Sequence, residues 1–206
     1  MAKKQWKPGN MLYPLPAVMV SCGEAGTDAN IITIAWAGTV CTNPPMVSIS
    51  VRPERHSYAL IKRTGDFVIN LVGRSLVRQM DFCGVRSGRD MDKFAECRLT
   101  EGRWEATAAP FIEESPVNIG ARVTQVIEAG SHHIFLAEVT AVQVDDSLLD
   151  ERDRLILERA GLVAYNHGRY HALGKELGTF GFSVAKKKRA VLHKEGKKHG
   201  RQKKKS

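Results

Sequence analysis

Several things are scarce or missing in this chain of 206 residues, and each shortage closes off a class of protein. No apolar run approaches the ~20 residues a membrane-spanning helix needs. The opening MAKKQWKPGN carries charge but not the hydrophobic stretch of a secretory signal, so a cytoplasmic protein with no membrane attachment is expected. The four cysteines, Cys22, Cys41, Cys83 and Cys97, contain no CxxC pair and have no histidine at zinc-ligand spacing. Neither a metal site nor a local redox dithiol is therefore indicated. There is no GxGxxG after a strand, no GxxxxGKS/T, no HExxH and no GxSxG, and no internal repeat. A dedicated dinucleotide-binding domain is thus unsupported.

What is present divides by charge. From Lys186 onward there are eleven Lys or Arg and one acid, a local +10 within a total of +9, so residues 1 to 185 sum to −1. The tail, 186–206, is poor in apolar residues and dense in like charge, which predicts a disordered basic extension. It is either a solvated extension or a non-specific binder of polyanions. Residues 1–185 are long enough for one domain with a sizeable core.

Within that domain β signals dominate. Ile31–Trp36 and Met46–Val51 are rich in β-branched residues and are separated by Thr42-Asn43-Pro44-Pro45, which predicts a hairpin-like unit with an irregular turn. Val117–Thr124 alternates at period two, and His133–Val144 continues after the turn Ala129-Gly130-Ser131, predicting a second hairpin. Short helices are predicted at Tyr58–Arg63, with Ser57 as N-cap, at Leu76–Cys83, stopped by Gly84, and at Asp150–Arg159. Many short strands and few helices indicate a mainly β fold, with barrel and sandwich both open.

The segment from Asn30 to Ser57 packs the most polar groups between strand signals. Arg52, Arg55, His56 and Ser57 stand at a strand exit and a helix start, a suitable place to hold a phosphate. Cys41 lies in the same segment, either near a ligand or as a small apolar filler.

On these residues the chain resembles the flavoredoxin branch of the flavin reductase-like, FMN-binding split-barrel family. The resemblance rests on TIAWAGTVCTNPPMVSISVRPERHSYALI, then GDFVINL, CGVRSGRDMDKF, ESPVNI, GSHHIFLAEV and AYNHGRYHALGKELGTFGFSV, in order over about residues 10 to 185. It implies a six-stranded split barrel with Greek-key connections and a homodimer with FMN near the subunit interface. It also implies flavin held largely by backbone groups of Asn30–Trp36, with Thr33, Ala35 and Trp36 foremost, and of Ser50, Val51 and the residues up to Ser57. Trp36 as an ordinary core aromatic is the competing reading.

For the ribityl phosphate the resemblance adds Ser87, Gly88 and Lys93 to Arg52, Arg55 and Ser57, each cation being otherwise surface decoration. His132 matches the family's histidine near the flavin, where an imidazole can hold the ligand and carry a proton. His133 must face the other way. His167, Tyr170 and His171 fall in a segment that borders the flavin cavity in the family. The implied function is a redox flavoprotein accepting electrons from NAD(P)H or a protein donor. The alternatives are a flavin reductase supplying reduced flavin to a partner oxygenase and a flavin- or haem-binding module without turnover.

Overall fold

A computed structural model describes residues 1–185; the predicted basic tail lies outside them. The chain divides into two units, the first Met1–Leu173 and the second beginning at Gly174. The described part of the second contains one 3-10 turn, Phe182–Val184. The described strands of the first unit are β1 (Leu15–Pro16), β2 (Val18–Cys22), β3 (Asn30–Ile34), β4 (Ala37–Cys41), β5 (Met46–Val51), β6 (Asp66–Leu71), β7 (Glu101–Gly102), β8 (Phe111–Ile112), β9 (Val117–Ala129), β10 (His132–Val144), β11 (Val163–Asn166) and β12 (Arg169–Ala172). Its α-helices are α1 (His56–Thr64), α2 (Val77–Val85) and α3 (Lys93–Cys97).

Seven strands form one antiparallel sheet in the order β3-β2-β6-β9-β10-β5-β4. The seven-strand count differs from the expected six because one extended run, Asn30–Cys41, is broken at Ala35 and Trp36 into β3 and β4. β3 lies at one end of the sheet and β4 at the other, so the covalent link between them brings the ends together. The Ser50 N–H donates to the Trp36 carbonyl at 2.9 Å and ties this bend to β5. Register shifts in the β9–β10 pair, between Leu136 and Ala137 and between Val139 and Ala141, add the local twist that curls the sheet. The result is a split barrel.

Alternation sets the core. Val18 and Val20 of β2, Ile32 and Ile34 of β3, Val47, Ile49 and Val51 of β5, Phe67 and Ile69 of β6 and Phe135 and Ala137 of β10 point inward. α1 carries the chain from β5 to β6 and adds Leu60 and Ile61 to the same core. The side chains of Phe67 and Phe135 are fully buried, each contributing about 1.5–3 kcal/mol. The outer face of β2 and β3 is covered too, with Met19 and Ile31 packed against Leu76, Met80 and Cys83. Both faces of β2 are therefore buried, which explains its run VMVSC.

Local details correct the sequence reading. Ile31–Trp36 does not pair with Met46–Val51: β3 pairs with β2, and the hairpin around Thr42–Pro45 is β4–β5, because the chain stays extended after Trp36. Ser57 is not the cap of α1, whose N-cap is Arg55 with no side-chain bond; the Ser57 hydroxyl turns inward to accept from Asn30 Nδ2 at 2.8 Å. Gly84 does not stop α2 but lies inside it, where a Cβ would come within 3.1 Å of Thr33 Cβ. Asp150–Arg159 forms no α-helix, since Asp150 Oδ1 accepts from the Arg152 and Arg154 amides, which favours a turn. The unanticipated α3 is capped by Asp92, which accepts from the Phe94 and Ala95 amides.

Candidate functional site

The barrel splits where two strands lose their neighbours. β5 is paired with β4 only as far as Ile49, opposite Ala37, and β3 has β2 on one side alone. Backbone groups of Ile32–Trp36 and Ser50–Arg52 thus edge one cleft of about 800 Å³, which is also lined by Arg55, Asp81, Gly84, His132, Tyr165 and Tyr170. Such an edge offers both donors and acceptors without adding charge. The Thr33 hydroxyl donates to the Met80 carbonyl and fastens β3 to α2.

Trp36 is 41% exposed and its ring lies within 13° of parallel to that of His132, with centroids 6.1 Å apart. It is a wall of the cleft, not a core aromatic. The two adjacent histidines diverge as alternation requires. His132 faces the cleft with Nδ1 3.0 Å from Ser131 Oγ, whereas His133 Nδ1 lies 2.8 Å from Tyr58 Oη against α1. Burial, then the nearby Arg52, holds the His132 pKa below the ordinary range, so its ring is neutral near pH 7. Tyr170 Oη donates to Asp81 Oδ1 at 2.8 Å, and burial together with that carboxylate pushes its pKa up to about 12.

Ile32, Arg52 and Arg55 also line a second, smaller cavity of about 270 Å³, so the two spaces adjoin. It is bordered by Asn30, His56, Ser57, Cys83, Arg86, Ser87, Gly88, Arg89 and Lys93 as well. Five Lys or Arg side chains meet one carboxylate there, that of Glu54. The Glu54 carboxylate lies 3.5 Å from Arg52, and the Glu54 main-chain carbonyl accepts from Arg89 at 3.1 Å. Burial, and then Arg89 and Lys93, depress the His56 pKa. The field is that of an anion site, and the positive end of the α1 dipole adds to it.

Lys93 is 3% exposed and its Nζ donates to the carbonyls of Ile31 at 2.7 Å and Cys83 at 2.8 Å. It borders the cavity while tying β3, α2 and α3 together. Gly88 is required for close approach, since a Cβ there would fall 2.1 Å from Asn30 Oδ1.

The residues expected to hold the cofactor, together with His132, line these two adjoining cavities, with Asn30, His56, Ser57, Ser87 and Lys93 at the small one and Thr33, Ala35, Trp36, Ser50, Val51 and His132 at the large one. Arg52 and Arg55 stand between. Cys41 does not line either; its Sγ lies 3.4 Å from the Asn43 carbonyl. His167 packs edge-on to Tyr13, and His171 is exposed on β12. Arg86, Arg89, Asp81 and Tyr165 were missed. Arg86 and Arg89 flank the Ser87-Gly88 turn already noticed, and that symmetry was the available signal.

One end of the cleft is edged by strand backbone and the other is lined by cations. Comparison with known proteins gives the family. Residues 11–174 match the model of the flavin reductase like domain, and the chain belongs to that family. The structure of flavoredoxin from Desulfovibrio vulgaris (Miyazaki F) superposes with a TM-score of 0.82 at 30% identity, over 89% of this chain and all of that one. A protein of Aeropyrum pernix is 34% identical over 138 residues, which is 66% of this chain and 52% of that protein. A flavin reductase of Pseudomonas putida is 26% identical over 151 residues, 72% of this chain and 82% of its own length.

Proposed function

We propose that the chain is an FMN-dependent electron-transfer flavoprotein of the flavoredoxin kind, taking electrons from NAD(P)H or a redox protein and passing them on. The observation that carries this is the junction of the two cavities at Arg52 and Arg55, because flavin mononucleotide has a planar ring system and a dianionic phosphate at opposite ends. In this reading the backbone of Thr33, Ala35, Trp36, Ser50 and Val51 holds the polar edge of the ring. Arg52, Arg55, His56, Ser57, Ser87 and Arg89 receive the phosphate, while Asn30 and Lys93 fix the shape of that end. Bound FMN supplies the two-electron chemistry; the protein supplies position, dielectric and access. His132, neutral and facing the cleft, accepts a hydrogen bond or proton beside the ring.

A homodimer in the cytoplasm is part of the proposal: Val142 and Ile127 on the long β9–β10 hairpin are 56% and 38% exposed, apolar surface that a second copy would cover. The likeness to the reductase component of a 4-nitrophenol monooxygenase of Rhodococcus opacus favours a second reading, delivery of reduced flavin to a partner oxygenase. Anaerobic titration of the purified, flavin-loaded protein with NADH and NADPH tests both. Bleaching with flavin retained supports the first reading, and bleaching with flavin released supports the second. A chain that binds no flavin overturns both.

A further inference from the structure

Cys83 and Cys97 stand 14 positions apart in sequence and form no CxxC pair, yet the fold brings their sulfurs to 3.8 Å, with both thiols free. Cys83 sits on α2 and borders the small cationic cavity; Cys97 ends α3 and is partly exposed. The segment between them holds Arg86, Ser87, Gly88 and Arg89 of that cavity, and the Cys83 carbonyl is one of the two that accept from Lys93. We propose that Cys83 and Cys97 are an oxidisable dithiol whose disulfide clamps the loop that forms the anion-binding end of the cleft.

A disulfide needs the sulfurs to close from contact to about 2.05 Å, a movement that side-chain rotation and a small approach of α3 to α2 supply. The oxidant is hydrogen peroxide. The more exposed Cys97 sulfur attacks the peroxide: an S–O bond forms, the O–O bond breaks and one water leaves. The Cys83 sulfur then attacks Cys97, the S–S bond forms, the S–O bond breaks and a second water leaves. Two thiols and one peroxide thus give one disulfide and two waters, the two electrons passing to peroxide. Burial raises both thiol pKa values, that of Cys83 to about 12, so the reaction accelerates with rising pH. Cys22, buried in the barrel, and Cys41, on β4, have no such partner among the described residues.

The inference does not depend on the identity of the cofactor, and flavin-free protein serves for the test. The full chain is treated with hydrogen peroxide, its free thiols are titrated, and its peptides are mapped by mass without reduction. The expected result is the loss of two of four thiols, a Cys83–Cys97 cross-linked peptide reversed by dithiothreitol, and several-fold slower tryptic cleavage at Arg86 and Arg89 in the oxidised form. Cys97→Ser should abolish all three changes and Cys41→Ser none. If that variant folds poorly, dithiothreitol reversal in the unaltered chain makes the same comparison. Over-oxidation of Cys97 without a cross-link, or a cross-link that leaves cleavage at the two arginines unchanged, would overturn the proposal.

Discussion

The two ends of the cleft are built from different materials. At the wide end the strand edges of β3 and β5 present main chain, framed by Trp36, His132, Tyr165 and Tyr170; at the narrow end side-chain cations crowd around Ser57, Ser87 and Gly88. Main-chain recognition is fixed by the barrel and survives most side-chain changes. Charge recognition depends on individual residues and on salt. Substitutions at the wide end should therefore alter rate, and substitutions at the narrow end should alter affinity.

The largest departure is expected at the narrow end. Replacing Arg52 and Arg55 together with Ala removes the two guanidiniums that border both cavities. Charge-assisted hydrogen bonds are worth about 1.5–3 kcal/mol each, so FMN affinity should fall by roughly 10²-fold or more. Riboflavin, which lacks the phosphate, should bind almost as before. Fluorescence titration with both flavins makes the comparison, and equal losses for the two would show that the narrow end does not read phosphate.

Next comes the pair His132→Ala and His133→Ala, which tests the wide end. His132 faces the cleft, whereas His133 is committed to Tyr58. Side-chain help in proton transfer is worth ~10²–10⁴-fold when well placed. Anaerobic stopped-flow reduction should be slowed about 10²-fold or more in His132→Ala, with FMN affinity little changed. His133→Ala should reduce normally and lose about 1 kcal/mol of stability with its hydrogen bond. A slow His133→Ala variant would mean that reduction is governed from the α1 side of the barrel.

These pairs also mark what was legible in the sequence. The period-two alternation that separates His132 from His133 is a local property, and so is the placing of Arg52, Arg55 and Ser57 at the strand exit. The strand partner of Ile31–Ile34 was not local. It depended on Ala37–Cys41 remaining extended beyond Trp36, and nothing in TIAWAGTVC marks a bend instead of an end. The inward turn of Ser57 depends on Asn30, 27 positions away, and the proximity of Cys83 to Cys97 depends on how α2 and α3 pack. Lys93 was legible as a residue of the anion end. Its bonds to two carbonyls, which make it a structural tie as well, were not.

A smaller effect is expected from Thr33→Val, at the heart of the wide end. The hydroxyl is used on the Met80 carbonyl, so its loss should lower stability by about 1 kcal/mol in denaturant unfolding. FMN affinity should stay within about twofold of the original. A large loss of affinity would show that the side chain, and not the strand edge, is the contact, and would erase the distinction between the two ends.

The smallest expected effect links the ends through one residue. His132 has its pKa lowered first by burial and then by Arg52, so the folded protein takes up its proton at lower pH than an unfolded chain, whose histidine titrates near about 6.5. The sign follows: stability from this group is present above the unfolded value and is lost as pH falls through it toward the folded one. If reduction needs the neutral ring, the acid limb of its pH profile lies below about 6.5. Arg52→Ala removes the second cause but leaves burial, so that limb should move upward without reaching the ordinary value. Stopped-flow reduction between acid and neutral pH, at saturating FMN to offset weakened binding, gives the comparison. An acid limb that Arg52→Ala does not move would mean that the two ends, though they share an arginine, are electrostatically independent.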